Sequence, residues 1–466
     1  MKIPTISVAF LATIIGSAEG FSFDGKRRGL PCGAAAPRSI GSGVTVTISP
    51  SPLYTSTEEC KETDSVLATR TATRILTKEE VEYIINGAAF LGAGGGGPKE
   101  MANHMLDSAL YPSDNDSDID SKSIQMVNLS EVGDDEYVLI SAYLGPPEEA
   151  LKEGADMTYE SLTTAKHVVQ ANGLELEDLK FVIPVEIGAL NSIAPMVVAK
   201  DLGIPIVDAD GAGRAVPTLS CLTFGKHENL LKKGFAVASD EFKDKCFCKV
   251  GNAGVAEKVA ATIVESYGNL GALAIWLMKG KEFKENAIGG GLSRSLRIGE
   301  QMEILKKSAK TSDAFEPQAF CDKILTPMGL ESKVIVSHGK IKRPYQKKSV
   351  NALDLTSITV EETDLETSNI RTVTVNALNE NMFAYDSTKP APIIMAPEMM
   401  CWLCADGSSI DNSELEKDDG TIESVHMIAV KPEKQMYDDK IVDAFMDIFR
   451  SAFGYAGSPV VLWPKE

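Results

Sequence analysis

The sequence predicts an α/β protein, in which a mostly parallel sheet covered by helices is followed by a β-rich, barrel-like domain. The first observation is the alternation of short Val- and Ile-rich runs with helix-like stretches between residues 75 and 245. Such alternation is typical of a parallel sheet with helices on both faces. The second is a change after residue 246, where a helical start gives way, from about residue 333, to short apolar runs punctuated by Gly, Pro and Asp. These runs indicate a second domain, over 246–466, built mainly of strands.

The elements of the first domain follow from local patterns. Thr77 and Glu80 form a capping box, and the apolar residues after them recur at helical spacing, so a helix is expected there. Apolar β-branched runs predict the strands, and the stretches between them predict helices. The predicted strands cover 124–129, 137–143, 181–187 and 204–208, and the predicted helices cover 148–171 and 193–202.

The second domain is predicted in the same way. Helices are expected over 253–267, 293–307 and 438–449. Between the last two, alternating apolar residues bounded by turn residues predict short strands, and a final strand is expected at 460–463. The predicted strands before it cover 333–341, 370–376, 382–385, 393–403 and 425–430.

Composition limits the classes of partner. The 466 residues are 44% hydrophobic and carry a formal net charge of −20. An acidic surface repels nucleic acid and anionic membranes, so neither is expected as a partner. We also expect no membrane span after the N-terminal segment. The sequence leaves open whether the protein forms a homo-oligomer.

The first 74 residues resemble a leader followed by a linker. Met1 and Lys2 precede an apolar stretch and then small residues, which predicts a signal peptide over 1–20. Residues 21–74 begin with a basic, Ser- and Thr-rich, acidic-poor stretch that is typical of a transit peptide. We therefore expect entry into the secretory pathway, leading either to the plastid of an alga with complex plastids or to secretion.

A glycine-rich loop is the most informative motif. Five glycines fall in the six positions from Gly92 to Gly97, and Pro98 follows them where a helix can begin. Glycines in such a loop allow backbone conformations with positive φ and the close approach of a ligand. The helix that follows directs the N–H groups of its N-terminus towards one point. We expect Gly94, Gly95, Gly96 and Gly97 to bind a substrate atom that becomes negatively charged, although a simple turn remains the alternative.

Two predicted strands end in polar side chains. Glu186 and Asn191 follow the strand at 181–187, and Asp208, Asp210 and Arg214 follow the strand at 204–208. Ligands bind at the carboxyl ends of strands in open α/β sheets. Glu186, Asp208 and Asp210 are therefore candidate catalytic residues, and Asn191 and Arg214 are candidate substrate-binding residues.

Each of these assignments has a structural alternative. Asn191 also suits a helix N-cap, and Arg214 also suits an ion pair with the two aspartates. Asp208 and Asp210 share one face of a strand, so they either hold one divalent metal ion or force one pKa upward. The identity and the presence of a cofactor are left open by the sequence.

Together, these segments resemble a known family. The stretches LGAGGGGP, PVEIGALNSIAPMVVAKDLGIPIVDADGAGRAVP, GLSRSLRIG, APEMMCWLCADG and AFGY are similar to the family named after S-methyl thiohydantoin desulfurase. The resemblance runs from about residue 75 to the C-terminus and implies an α/β domain followed by a β-rich domain. One departure is visible, because Gly97 is followed directly by Pro98, where the family often has an Asp before the proline.

The resemblance implies a role in hydantoin and oxoproline metabolism. A first hypothesis is a hydrolase that acts on a hydantoin-like or thiohydantoin-like cyclic amide or thioamide, with Glu186 or Asp208 as general base. The glycine loop would then stabilise the developing negative charge. A second hypothesis is a non-catalytic small-ligand-binding or assembly partner of such an enzyme.

Overall fold

The computed structural model describes residues 73–112, 123–145, 158–239, 244–268, 270–309, 315–350, 353–363, 369–417, 420–422 and 424–463. The predicted signal peptide, and the linker up to residue 72, lie outside these residues. None of the helices in the described ranges combines the length and the apolar character that crossing a bilayer requires.

Nine strands of the described residues form the first sheet. Its path runs β1-β2-β5-β4-β3-β8-β6-β7, and β9 pairs with β5 beside this path. The strands are β1 Arg74–Ile75, β2 Gln125–Asn128, β3 Tyr137–Leu144, β4 Leu179–Pro184, β5 Ile206–Asp210, β6 Phe235–Ala238, β7 Lys245–Cys248, β8 Gly271–Lys279 and β9 Ile288–Gly289.

The parallel pairings occupy the centre of this sheet. β2, β5, β4 and β3 are parallel to one another, whereas β1, β6, β7, β8 and β9 pair antiparallel. The predicted α/β class is confirmed, with antiparallel margins that were not expected. β8 and β9 lie after residue 246, so the sheet continues beyond the predicted domain boundary.

Helices cover the sheet and join it to the second sheet. Their residue ranges are α1 Lys78–Leu91, α2 Lys99–Met105, α3 Thr158–Ala171, α4 Ala189–Leu202, α5 Ala253–Ser266, α6 Gly280–Asn286, α7 Gly291–Ala309, α8 Pro317–Phe320, α9 Asn412–Lys417 and α10 Asp439–Phe453. The capping box at Thr77 is present as predicted, and its side chain accepts a hydrogen bond from the N–H of Glu80.

The helices α1 and α7 cross at very short distance. A Cβ atom added at Gly87 would lie 1.8 Å from the carbonyl oxygen of Ser295, and one added at Gly299 would lie 2.0 Å from the carbonyl oxygen of Tyr83. Glycine is therefore required on both helices at this contact. The crossing fixes the start of α7 close to the end of β5.

Among the described residues, the second sheet contains seven antiparallel strands. Its order is β14-β13-β12-β11-β10-β16-β15. The strands are β10 Ser332–Val350, β11 Leu353–Thr363, β12 Ile370–Leu378, β13 Glu380–Asp386, β14 Pro392–Met395, β15 Met399–Cys404 and β16 Ser424–Val430.

The β-rich character of this part was predicted correctly, but its shape was not. Within the described residues no pairing joins β14 to β15, so the sheet is open rather than barrel-like. The single run predicted at 393–403 is two strands that do not pair with each other. Residues 460–463 are not a strand, because no ladder includes them.

Both sheets contribute to a shared core. Met399, Cys401 and Leu403 of β15 are buried in the same apolar cluster as Val81 and Ile84 of α1. Burial of such side chains is the main stabilising contribution in folding, at about 25 cal/mol per Å². The second sheet is therefore packed directly against the helix that leads into the glycine loop.

Candidate active site

The glycine loop connects α1 to α2, as the sequence predicted. Gly94, Gly96 and Gly97 have φ values of +93°, +79° and +85°, and Ala93 has a φ of 50°. Side chains rarely tolerate this region, whereas glycine enters it freely. The loop is also tightly enclosed, since a Cβ atom at Gly96 would lie 2.4 Å from Cα of Gly188.

The polar groups of this loop contact the protein itself. The carbonyl of Ala93 accepts a hydrogen bond of 2.8 Å from the N–H of Asn381, and that of Gly94 accepts one of 2.9 Å from the N–H of Asn412. The carbonyl of Gly96 accepts hydrogen bonds of 3.2 Å from Leu190 and Asn191, at the start of α4. An acceptor of the protein therefore occupies that helix N-terminus.

The glycine loop and the start of α2 contact carboxyl groups of the protein itself. The N–H of Gly96 interacts with the carboxyl group of Glu380. The N–H of Lys99, the first residue of α2, donates a hydrogen bond of 3.2 Å to Oδ2 of Asp411. The expected anion-binding loop thus receives carboxylates from the second half of the chain.

Glu186 lies in the turn between β4 and α4, two residues beyond the end of the strand. Its Oε1 accepts a hydrogen bond of 2.8 Å from Nδ2 of Asn191, and its Oε2 accepts one of 2.7 Å from the N–H of Val216. Oδ1 of Asn191 in turn accepts a hydrogen bond of 2.9 Å from the N–H of Tyr143. Asn191 therefore fixes the carboxyl group of Glu186 rather than capping α4.

A second buried glutamate stands next to Glu186. Burial raises the pKa of Glu186 to about 8, and the negative charge of Glu380 adds to the shift. Burial raises the pKa of Glu380 to about 7, while the charge of Arg214 opposes this. Two neighbouring carboxyl groups of this kind share protons near neutral pH, which is the property of an acid–base pair.

Glu380 was not predicted from the sequence. It is the first residue of β13, and none of the described residues donates a hydrogen bond to its Oε2. A Cβ atom added at Gly95 would lie 2.2 Å from its Oε1, so the glycine makes room for this carboxyl group. Its neighbours Asn379 and Asn381 are typical turn residues, and they gave no signal of a site.

These groups line one cavity of about 110 Å³. Gly94 to Gly97, Glu186 and Asn191, which are candidate site residues from the sequence, contribute to its wall. Six carboxyl side chains line it, whereas its described lining contains no Lys, Arg or His. The six are Glu186, Glu257, Asp354, Glu380, Asp411 and Glu416.

Asp208 and Asp210 lie outside the lining of this cavity. Oδ1 of Asp208 accepts hydrogen bonds of 2.8 Å and 3.1 Å from the N–H groups of Leu292 and Ser293, at the start of α7. Oδ1 of Asp210 accepts hydrogen bonds from the N–H groups of Ala212 and Gly213. The two aspartates do face the same element, as their spacing predicted, but that element is α7 and not the glycine loop.

The described residues do not build a metal centre around these aspartates. No group of three or more His, Cys, Asp or Glu side chains in the described ranges is arranged to hold a metal ion. Burial raises the pKa of Asp210 to about 7, and its Oδ2 has no hydrogen-bond partner in the described part of the chain. Burial and the charge of Glu433 cause this shift, and Asp208 is not among its causes, so the mutual repulsion considered for the pair stays a prediction.

Arg214 is buried completely and contacts neither aspartate through a hydrogen bond. Its guanidinium group donates to the carbonyl oxygens of Ala215, Pro397, Glu398 and Asn381, at 2.7, 2.9, 3.0 and 3.5 Å. Three of these acceptors belong to the second half of the chain. The predicted substrate-binding role and the predicted ion pair are both replaced by a connection between the two sheets.

Family models match most of the chain. Residues 79–245 match the S-Me-THD-like N-terminal domain, and residues 251–457 match the S-Me-THD-like C-terminal domain. The chain belongs to the S-Me-THD-like family. The search of curated proteins found no match.

A solved structure supports the fold of this S-Me-THD-like chain. The crystal structure of a protein from Chromobacterium violaceum matches it with a TM-score of 0.69 and 23% sequence identity. The match covers 83% of this chain and 99% of that chain. At this identity the likeness concerns the fold alone.

The cavity lies between the two parts that the S-Me-THD-like models match. Glu186 and Asn191 come from the first part, whereas Glu380, Asp411 and Asn412 come from the second. Nδ2 of Asn412 donates hydrogen bonds of 2.8 Å and 3.1 Å to the carbonyl of Asn379 and to Oδ1 of Asn381. This network holds the second part of the wall against the glycine loop.

Proposed function

We propose that the chain is a hydrolase acting on a hydantoin-like or thiohydantoin-like ring, that is, a small cyclic amide or thioamide. The observation that carries the proposal is the pair of neighbouring buried glutamates, Glu186 and Glu380, in a cavity lined by the glycine loop. Membership of the S-Me-THD-like family supports the choice of ring.

The pair supplies both kinds of proton transfer. With the pKa values of Glu186 and Glu380 raised to about 8 and about 7, the pair holds about one proton at neutral pH. The ionised carboxylate accepts a proton from water while the water oxygen bonds to the ring carbon between the two nitrogens. The protonated carboxyl group then gives its proton to the departing sulfur or nitrogen. General acid–base catalysis of this kind contributes roughly 10²- to 10⁴-fold in rate.

The products follow from this step. From an S-alkyl thiohydantoin, the bond from carbon to sulfur breaks, a thiol leaves and a ring carbonyl is formed from the water oxygen. From a thioxo ring, the same step releases sulfide. Asn191 acts as a positioning residue, since its amide holds Glu186 and is itself held by the N–H of Tyr143.

The test is incubation of the full-length protein with hydantoins, thiohydantoins and S-methyl thiohydantoins, followed by assay of sulfide, thiol and ring-opened product. We expect one of these products, and we expect Glu186→Gln to reduce its rate of formation by about 10²-fold while ligand binding is kept. The matched control is Glu265→Gln, because Glu265 is exposed on α5.

Two results would contradict the proposal. No product from any of the rings would argue against a hydrolase, and unchanged turnover by Glu186→Gln would remove the glutamate pair from the mechanism. Thermal stabilisation by a ring without turnover would instead favour the alternative of a non-catalytic ligand-binding or assembly partner.

A further inference from the structure

The charges around the cavity restrict the substrate further. The six carboxyl side chains of the lining face no basic side chain of the described lining. A pocket of one charge sign repels ligands of the same sign and concentrates those of the opposite sign. A ring that bears a carboxylate would therefore meet several like charges at short range.

The donors of Arg214 and Lys99 are already bound to groups outside the cavity lining. The donors of Arg214 are directed at four carbonyl oxygens. Nζ of Lys99 donates to the carbonyl of Ser409 and lies 3.2 Å from Oε1 of Glu414. Neither side chain lines the cavity. The charge of Arg214 lowers the pKa of Glu380, but its hydrogen-bond donors are bound to other groups and do not pair with the carboxyl groups of the wall.

A buried carboxyl oxygen of the cavity wall lacks a donor among the described residues. It is Oε2 of Glu380, a side chain that is 3% exposed. Glu257, on α5, is half-buried and accepts a hydrogen bond of 2.9 Å from the N–H of Leu219 through its Oε2. Buried acceptors are normally paired, so Oε2 of Glu380 points to a ligand that brings donors.

Glu257 also differs from the pair that carries the chemistry. Burial raises its pKa to about 7, and the backbone hydrogen bond from Leu219 opposes the shift. It interacts electrostatically with Glu380. It is thus a third carboxyl group beside the reacting pair, half-buried in the cavity wall and with no assigned step in the hydrolysis.

We propose that the substrate ring carries a protonated amine on its side chain, and that Glu257 receives this ammonium group while Glu186 and Glu380 face the ring. The inference rests on the proposed function for the identity of the ring. An ammonium group beside Glu257 supplies the donors that Oε2 of Glu380 lacks, and its charge compensates the carboxylates. Rings with an anionic side chain are excluded by the same charges.

The test compares three thiohydantoins that differ only in the side chain: aminoethyl, propyl and carboxyethyl. Binding to the full-length protein is measured by isothermal titration calorimetry, and turnover is measured separately. We expect the aminoethyl ring to bind about tenfold more tightly than the propyl ring, which is the effect of about one charge-assisted hydrogen bond. The carboxyethyl ring is expected to bind more weakly than the propyl ring.

A pair of variants tests whether Glu257 causes the preference for the aminoethyl ring. We expect Glu257→Gln to bring the aminoethyl and propyl affinities to within about threefold of each other, while Glu265→Gln on the same helix keeps the preference. Because the wild-type ligand series already tests the preference, the inference remains falsifiable if Glu257→Gln does not fold.

The outcomes separate this inference from the proposed function. Turnover with a preference for the carboxyethyl or propyl ring would overturn the ammonium inference and keep the hydrolase. Tighter binding of the aminoethyl ring without any product would keep the inference and overturn the hydrolase. Failure to bind any of the three rings would overturn both.

Discussion

The side-chain amide of Asn191 lies between two groups that are far apart in the sequence, the N–H of Tyr143 and the carboxyl group of Glu186. It accepts from the first at 2.9 Å and donates to the second at 2.8 Å. The donated bond lowers the pKa of Glu186, against the larger upward shift from burial. The protonation of Glu186 therefore depends on a residue that needs no contact with the substrate.

Asn191→Leu is expected to raise the pKa of Glu186 further, because the carboxylate loses a hydrogen bond that favours its charged form. The pH profile of kcat/KM should move to higher pH, by roughly one unit for one such bond. Asn86→Leu, on α1, removes an amide that donates a hydrogen bond to the carbonyl of Glu82, away from the cavity lining, and should leave the pH profile unchanged. An unshifted profile in Asn191→Leu would contradict the positioning role.

The free energy of unfolding should fall as the pH rises from about 5 to about 8. Burial raises the pKa values of Glu257 and Glu380 from 4.5 to about 7, and that of Asp210 from 3.8 to about 7. The folded state therefore binds more protons than the unfolded state in this window, and stability is lost on deprotonation. Urea midpoints at several pH values measure the effect. Glu257→Gln should flatten the slope, and a midpoint that rises with pH would refute the expectation.

Arg214→Met should destabilise the protein by about 3 kcal/mol, because carbonyl oxygens of both halves lose their donors while remaining buried. Chemical denaturation measures this loss. Arg450→Met is the comparison, since the side chain of Arg450 is 57% exposed and pairs with Asp447, and its effect should stay within about 0.5 kcal/mol. Equal effects of the two substitutions would show that Arg214 does not connect the sheets.

Gly95→Ala is expected to displace Glu380, since the added Cβ would lie 2.2 Å from Oε1 of that residue. Turnover should fall by about 10²-fold, the effect of moving a reacting group by about 1 Å. Gly251→Ala provides the control, because a Cβ there meets no atom within 4 Å. Unaltered turnover in Gly95→Ala would mean that Glu380 is not part of the chemistry.

Asp208→Asn should retain both stability and turnover. The amide oxygen of Asn can accept the same hydrogen bonds from Leu292 and Ser293, and Asp208 does not line the cavity. Asp208→Ala, which removes the acceptor, should cost about 1 kcal/mol of stability. A loss of turnover of 10²-fold or more in Asp208→Asn would instead restore Asp208 as the general base proposed from the sequence.

Sequence patterns were sufficient to predict those helices, strands and caps that depend on residues close together in the chain. The capping box at Thr77, the helix after it and the position of Glu186 beyond a buried strand were all predicted correctly. Asp208 and Asp210 were placed correctly on one face, but the element opposite that face, α7, begins some 80 residues later. Their partners could not be predicted from spacing.

The second half of the site depends on pairings that leave no local signal. Glu380 reaches Gly95 only because β13 belongs to a sheet that packs against α1. Strand order in that sheet, and therefore its open edge, is a property of long-range pairing. The sequence therefore predicted the side of the cavity formed by the glycine loop and Glu186, but not the opposite side, which contains Glu380.

The hydrogen bonds from Asn381 and Asn412 to the carbonyls of Ala93 and Gly94 have a consequence for synthesis of the chain. A nascent chain synthesised only as far as residue 250 would contain Glu186 and the glycines, but it would lack Glu380, Asn381 and Asn412 from the opposite side of the pocket. We therefore expect neither of the two fragments divided at this point to function alone, while co-expression of both should restore the complete pocket by complementation.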